Sequence, residues 1–120
     1  MTLTTQRPSA RRAPQLVVSM STEGPASVVA LQGEADNATL PLVTRMLDRA
    51  IRAHDGPVVV ELAGTRFIDS GTVRIISQVA QALAEHGRRL TVRSPSELAV
   101  RVLELHGLSD LIVPGGGEDQ

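Results

Sequence analysis

The sequence predicts a small single-domain α/β fold: an opening β-hairpin, a mostly parallel central sheet after it, and about three helices. Two observations carry this prediction. Short apolar runs alternate with longer stretches whose apolar residues recur every three to four positions. Such alternation is the mark of βα units, in which successive strands run parallel and a helix makes each return. The chain has 120 residues, 42% hydrophobic and 21% charged, enough for one core and little more.

Residues 1–14 hold Arg7, Arg11 and Arg12 among Thr, Ser and Pro and read as a flexible basic arm. Leu16-Val17-Val18, within Gln15–Met20, suits a strand, and Ser21–Ser27, with Gly24 and Pro25, a turn. Val28-Val29-Ala30-Leu31, ending at Gly33, is the hairpin partner. Leu40, Val43, Leu47, Ala50 and Ile51 form one stripe of a helix from about Thr39 to His54. Pro41 fits only its opening turn, which puts the cap at Asn37–Thr39. Val58-Val59-Val60-Glu61-Leu62 is the clearest strand. Its unbroken apolar run suits a central position covered on both faces, although so small a sheet can also carry all its helices on one face.

A second helix, from about Thr72 to His86, lines up Val73, Ile76, Ala80, Leu83 and Ala84. Arg89–Arg93 alternates as a strand. Ser94-Pro95-Ser96-Glu97 reads as a capping box with Pro at the first helical position. In the helix it opens, Leu98, Val102 and Leu105 share a face, with Ala99 and Leu103 beside it. Leu111-Ile112-Val113 fits a last short strand. Residues 114–120 are a loose acidic tail, which leaves 15–113 as the domain. His54, His86 and His106 each stand near a helix end just before a Gly. There an imidazolium suits the helix dipole and Gly the left-handed cap, which explains all three locally without a metal or catalytic role.

Composition removes several function classes. With one Phe, no Trp and no Tyr, the core is aliphatic and aromatic stacking on nucleic acid has no platform. The net charge of -1 also argues against nucleic acid. No Cys means no disulfide, thiolate metal site or thiol nucleophile. No apolar run reaches the length of a membrane span and no signal segment is evident, so direct membrane insertion is not expected and the expected setting is cytoplasmic.

Chemistry concentrates in two polar loops, Gly33-Glu34-Ala35-Asp36-Asn37 and Asp69-Ser70-Gly71-Thr72. Both lie where strands feed helix N-termini, the usual functional edge of an α/β sheet, so they are expected to be neighbours. Ser70 has three readings. Its hydroxyl can cap the second helix. It can accept a phosphate, which adds roughly 1.5–2 negative charges at a helix N-terminus. It can be a nucleophile, but the Gly-x-Ser-x-Gly elbow is missing and no His base is indicated. Phosphate-cradling loops are missing too: the chain has no Lys, and Gly115-Gly116-Gly117 precedes no helix. No catalytic residue, metal ligand or cofactor is assigned. Arg74, Ser77 and Gln78, early in the second helix, are a candidate binding face or a merely solvated one.

Three segments carry a resemblance. Leu31-Gln32-Gly33-Glu34-Ala35-Asp36 looks like a Leu-x-Gly-Glu-Leu-Asp motif, followed by the helix start Thr39-Leu40-Pro41-Leu42. Val58 to Ser70, ending Phe67-Ile68-Asp69-Ser70, looks like a central strand and switch loop. Arg101 to Leu111 looks like a closing helix and its Gly-Leu turn. In this order the segments resemble the STAS domain family, shared by anti-sigma factor antagonists and the cytosolic parts of sulfate transporters. The resemblance spans nearly all of 15–113.

It implies an anti-anti-sigma factor. Unphosphorylated, such a protein binds an anti-sigma factor that is a serine kinase of the histidine-kinase-like ATPase fold, and a sigma factor is freed. The kinase phosphorylates the Ser after the loop Asp, here Ser70, and binding ends; a PP2C-type serine phosphatase reverses it. ATP and its metal belong to the kinase. Asp36, flanked by Glu34 and Asn37, faces the partner; Asp69 positions the Ser70 hydroxyl; Gly33 turns the backbone out of the second strand. The free protein can be monomer or dimer. The family commonly reads Asp-Ser-Ser/Thr-Gly, whereas this chain has Gly71 and then Thr72. That difference keeps two variants open: Thr72 as a competing acceptor, and a non-phosphorylated STAS scaffold or binding subunit, for example in a lipid ABC transporter complex.

Overall fold

The computed structural model describes residues 14–113; the basic arm up to Ala13 and the acidic tail lie outside the described residues. Strands β1 (Leu16–Glu23) and β2 (Ala26–Ala35) form the hairpin. They are followed by α1 (Leu40–Ala53), β3 (Val58–Ile68), α2 (Ser70–Ala84), β4 (Leu90–Arg93) and α3 (Glu97–Leu105). The strands make one sheet in the order β1-β2-β3-β4, antiparallel in the first pair and parallel in the other two. The predicted class, hairpin and three helices are all present.

Several boundaries differ, for identifiable reasons. The hairpin turn is only Gly24-Pro25, and pairing runs out to Glu23 opposite Ala26. Ser21, Thr22 and Ser27 are in strands because backbone pairing holds a hairpin end whatever its side chains. β3 continues past Leu62 through Gly64 to Ile68. The buried Thr65 hydroxyl donates to the Leu31 carbonyl at 2.7 Å and ties β3 to β2 beyond an irregularity in their register. α2 begins at Ser70 rather than Thr72, and Ala84 is exposed. α3 is capped by Ser96, whose hydroxyl accepts from the Ala99 N–H at 3.1 Å, so Pro95 stays outside the helix. Leu111-Ile112-Val113 is not a strand. Ser109–Leu111 is a 3-10 turn, and one bridge joins Ile112 to Val92, since Leu108, Leu111 and Ile112 already reach the core from the turn.

All three helices cover the same sheet face. Val43, Leu47 and Ala50 of α1, Val73, Ile76 and Leu83 of α2, and Ala99 and Leu103 of α3 form one core with Val29, Leu31, Val58, Val60 and Val92. β3 is central, as its apolar run implied, but helices cover it on one side only. α3 meets the sheet along the narrow Ala99–Leu103 seam, which leaves Leu98 and Leu105 outside. Gly87 and Gly107 take the left-handed conformation expected after α2 and α3, at φ 72 and 73. α1 ends differently. Arg88, from the α2–β4 connection, donates to the carbonyls of Ile51 (3.1 Å), His54 (2.6 Å) and Gly56 (3.0 and 3.1 Å). A Cβ on Gly56 would lie 2.2 Å from the Pro25 carbonyl oxygen, so glycine there serves the close approach of the hairpin turn.

The helix-free face is held by charge. Arg93 donates to Glu61 at 2.5 Å and, through both terminal nitrogens, to Glu23 at 2.9 and 3.0 Å. Glu23 and Arg93 belong to opposite edge strands, about 14 Å apart in a flat sheet of this order. The hairpin end must therefore curl over this face. Val28, which alternates away from the helices, is only 4% exposed beneath it. Burial pushes the Glu61 carboxyl up, but hydrogen bonds from Arg93 and the Ala63 N–H outweigh this and hold it below the ordinary 4.5. The hydrogen bond from Arg93 likewise lowers Glu23. Both carboxyls thus favour the charged form in the folded state. Their contribution is complete above the ordinary carboxylate range and is lost as pH falls through the lowered values. R93Q is expected to lower stability at pH 7, the Glu61 contact alone contributing about 1 kcal/mol. The difference from wild type should close below pH 4.5 in urea titrations followed by far-UV circular dichroism; a pH-independent difference would refute the charge strap.

Candidate functional site

The two polar loops meet where parallel pairing of β2 and β3 ends. Ala35 lies opposite Ile68, and the Asp69 N–H donates to the Ala35 carbonyl at 3.0 Å. The first loop closes at once into a 3-10 turn, Asn37–Thr39, capped by Asp36. Asp36 Oδ1 accepts from the Ala38 N–H at 3.0 Å, and the Asp36 N–H donates to Thr39 Oγ1 at 2.9 Å. Asp36 Oδ2 accepts from the Gln15 side-chain amide at 2.6 Å. The carboxylate is thus fastened from two sides, and Gln15 is a contributor that sequence reasoning missed. Glu34 and Asn37 are exposed. Glu34 stands 3.9 Å from Arg66, both well exposed, a pairing of little energetic weight.

Gly33 does not turn the chain out of β2; it sits inside the strand at φ 118, beside an irregularity in the register. A Cβ there would fall 2.2 Å from the Gln15 carbonyl oxygen, which accepts from the Glu34 N–H at 2.9 Å. Only glycine lets β1 start this close to the first loop.

In the second loop, the cap of α2 is Asp69, not Ser70. Asp69 Oδ1 accepts from the Thr72 N–H at 2.9 Å. A carboxylate suits this position, since it adds charge at the positive helix end. Ser70 becomes the first helical residue: it is exposed, and among the described residues its hydroxyl has no partner. Thr72 is fully buried with an unpaired Oγ1, so it is not presented as a competing acceptor in this fold. A Cβ on Gly71 would meet Asp69, Leu40 and Asn37 at 3.6–3.9 Å, ordinary contact distances. Packing therefore does not demand glycine at 71. Ser70, Arg74 and Ser77 recur at helical spacing on one side of α2, with Gln78 next to them; Arg74 and Gln78 are exposed and Ser77 is half-buried.

A family profile described as "Mlab, STAS domain" matches residues 18–114. Among solved structures, the anti-sigma factor antagonist SpoIIAA in its unphosphorylated form is similar, with TM-score 0.74, 18% identity, and 86% of this chain and 91% of that one covered. The Bacillus cell fate determinant SpoIIAA in its phosphorylated form gives 0.69, 17%, 86% and 95%. An anti-sigma factor antagonist from Mycobacterium paratuberculosis gives 0.75, 20%, 89% and 92%. At these identities the likeness establishes a shared fold. No curated protein matches the chain by sequence.

Two stability outcomes are expected from the local geometry. G33A should cost at least about 2 kcal/mol, as left-handed strain adds to a backbone clash. T72V should stabilise by about 1 kcal/mol, because it removes a buried hydroxyl without a partner at little change in shape. Thermal melts of both variants check the signs; a destabilised T72V would show that the hydroxyl is satisfied after all.

Proposed function

The chain belongs to the STAS domain family, and from that premise we propose that it is an anti-sigma factor antagonist switched by phosphorylation of Ser70. The observation that carries this reading is the exposed Ser70 hydroxyl, released from capping duty because Asp69 takes it. In the switch, Ser70 Oγ attacks the γ-phosphorus of ATP held by a serine kinase of the histidine-kinase-like ATPase fold. An O–P bond forms, the bond to the β–γ bridging oxygen breaks, ADP leaves, and the hydroxyl proton passes to a base on the kinase. A PP2C-type phosphatase returns the hydroxyl by hydrolysis. The phosphate would sit at the N-terminus of a 15-residue helix, where the dipole favours it. Asp69 beside it opposes it, so the modified edge presents a different charge pattern to a partner. Glu34, Asp36, Asn37 and the Arg74–Gln78 side of α2 flank the acceptor and belong to the proposed binding face. The two SpoIIAA forms support the reading as solved structures of similar fold.

A second reading is a STAS subunit that binds its partner without phosphorylation, as in a lipid ABC transporter complex. The description of the matching profile favours it, and so does Gly71, which leaves the loop without the family's usual second hydroxyl. Incubation with purified kinases of this class and ATP, followed by mass spectrometry, separates the two. Phosphate on Ser70, absent in S70A, with binding weakened at least tenfold in S70E, is the expected result. Tight binding with Ser70 unmodified would favour the second reading.

A further inference from the structure

The two polar loops repeat one pattern. Asp36-Asn37-Ala38-Thr39 and Asp69-Ser70-Gly71-Thr72 both place a Thr three positions after the capping Asp. In such a pair the two residues can cap each other: the Asp carboxylate accepts from a backbone N–H of the first turn, and the Thr hydroxyl accepts from the N–H of the Asp. The first copy makes both bonds. Asp36 Oδ1 accepts from the Ala38 N–H at 3.0 Å, and the Asp36 N–H donates to Thr39 Oγ1 at 2.9 Å. The second copy makes only half. Asp69 Oδ1 accepts from the Thr72 N–H at 2.9 Å, but the Asp69 N–H donates to the Ala35 carbonyl at 3.0 Å instead. Thr72, 0% exposed, is left with the one buried side-chain polar atom that lacks a partner among the described residues.

The Asp69 N–H thus has two acceptors within its own loop and the neighbouring one. Held by Ala35, it ends the parallel pairing of β2 and β3. Turned to Thr72 Oγ1, it completes the second capping box and detaches the second loop from the first. Each arrangement satisfies one acceptor and leaves the other, so the number of hydrogen bonds is unchanged. An unpaired buried hydroxyl costs free energy that its pairing restores, which brings the second arrangement close to the first. Rearranging the first turn of α2 also needs backbone freedom beside Asp69, and Gly71 supplies it. Packing gives no other reason for glycine there, since a Cβ would meet Asp69, Leu40 and Asn37 at 3.6–3.9 Å.

We propose that the Asp69 N–H passes between the Ala35 carbonyl and the Thr72 hydroxyl, and that this exchange closes and opens the junction of the two polar loops. The closed arrangement, which the structure shows, holds Asp36 and Ser70 on a common edge. In the open one the Ser70 turn is capped from both sides and moves independently of the Asp36 turn. A partner that touches both loops selects the closed arrangement. An enzyme that modifies Ser70 draws that hydroxyl into its own site, and the open arrangement presents it. The exchange itself holds under either reading of Ser70; this division between binding and modification rests on the phosphorylation reading.

The test uses the unmodified full chain, isotope-labelled, with relaxation dispersion at the backbone amides. Wild type is expected to show microsecond-to-millisecond exchange at Asp36, Asp69 and Gly71. A scalar coupling from the Asp69 amide across its hydrogen bond to the Ala35 carbonyl marks the closed arrangement. T72V keeps the shape but has no acceptor, and is expected to lose the exchange and keep the coupling. T72S retains the hydroxyl and is expected to keep both. A flat wild-type profile at these amides would overturn the proposal. Exchange undiminished in T72V would overturn it as ordinary loop motion, and loss of exchange in T72S as well would assign the effect to packing instead of the hydroxyl. No kinase enters the measurement, so these outcomes are independent of whether Ser70 is phosphorylated.

Discussion

β2 and β3 pair in parallel to the last residue of each, and the hydrogen bond from Asp69 to the Ala35 carbonyl sets where that pairing stops. Both strands then leave the sheet together, each through an acidic residue that caps the next helical turn. Asp36 closes the 3-10 turn ahead of α1, and Asp69 opens α2. A parallel pair cannot be joined by a short turn. The return through α1 therefore places two helix starts side by side at one edge. Exposure of Ser70 is a consequence of this arrangement, because once Asp69 is the cap the next side chain projects from the first turn.

Much of this was legible in sequence. Periodicity located α1 to within a residue, because Val43, Leu47 and Ala50 face a wide sheet and the whole stripe is used. It was only partly a guide for α3, where Leu98, Val102 and Leu105 look like a core face but Val102 alone of the three packs against the core. A nine-residue helix touches the sheet along a single seam, and small Ala99 allows the closer approach. The hairpin and β3 are longer than the side-chain pattern predicts, because that pattern does not report backbone pairing. Thr65, beyond the apolar run that marks β3, is a buried strand residue whose hydroxyl serves a neighbouring carbonyl.

The site was legible in its loops and less so in its division of labour. An Asp-Ser pair before a helix leaves open which residue caps, and a one-residue shift in helix start decides it. Gln15 could not be connected to Asp36 across 21 positions without the hairpin register. Nor could Glu23 be connected to Arg93, since the two meet only when the sheet coils. Gly33 was recognisable as a glycine with a purpose, but that purpose is a close backbone approach inside a strand.

Arg88 joins parts of the chain that are distant in sequence. Its guanidinium holds carbonyls at the end of α1 while its backbone leads into β4. At the edge opposite Ser70 the end of α1 is thus tied to the α2–β4 connection: unravelling its last turn breaks the Arg88 bonds to Ile51, His54 and Gly56. Local opening there is bound to a larger cooperative unit.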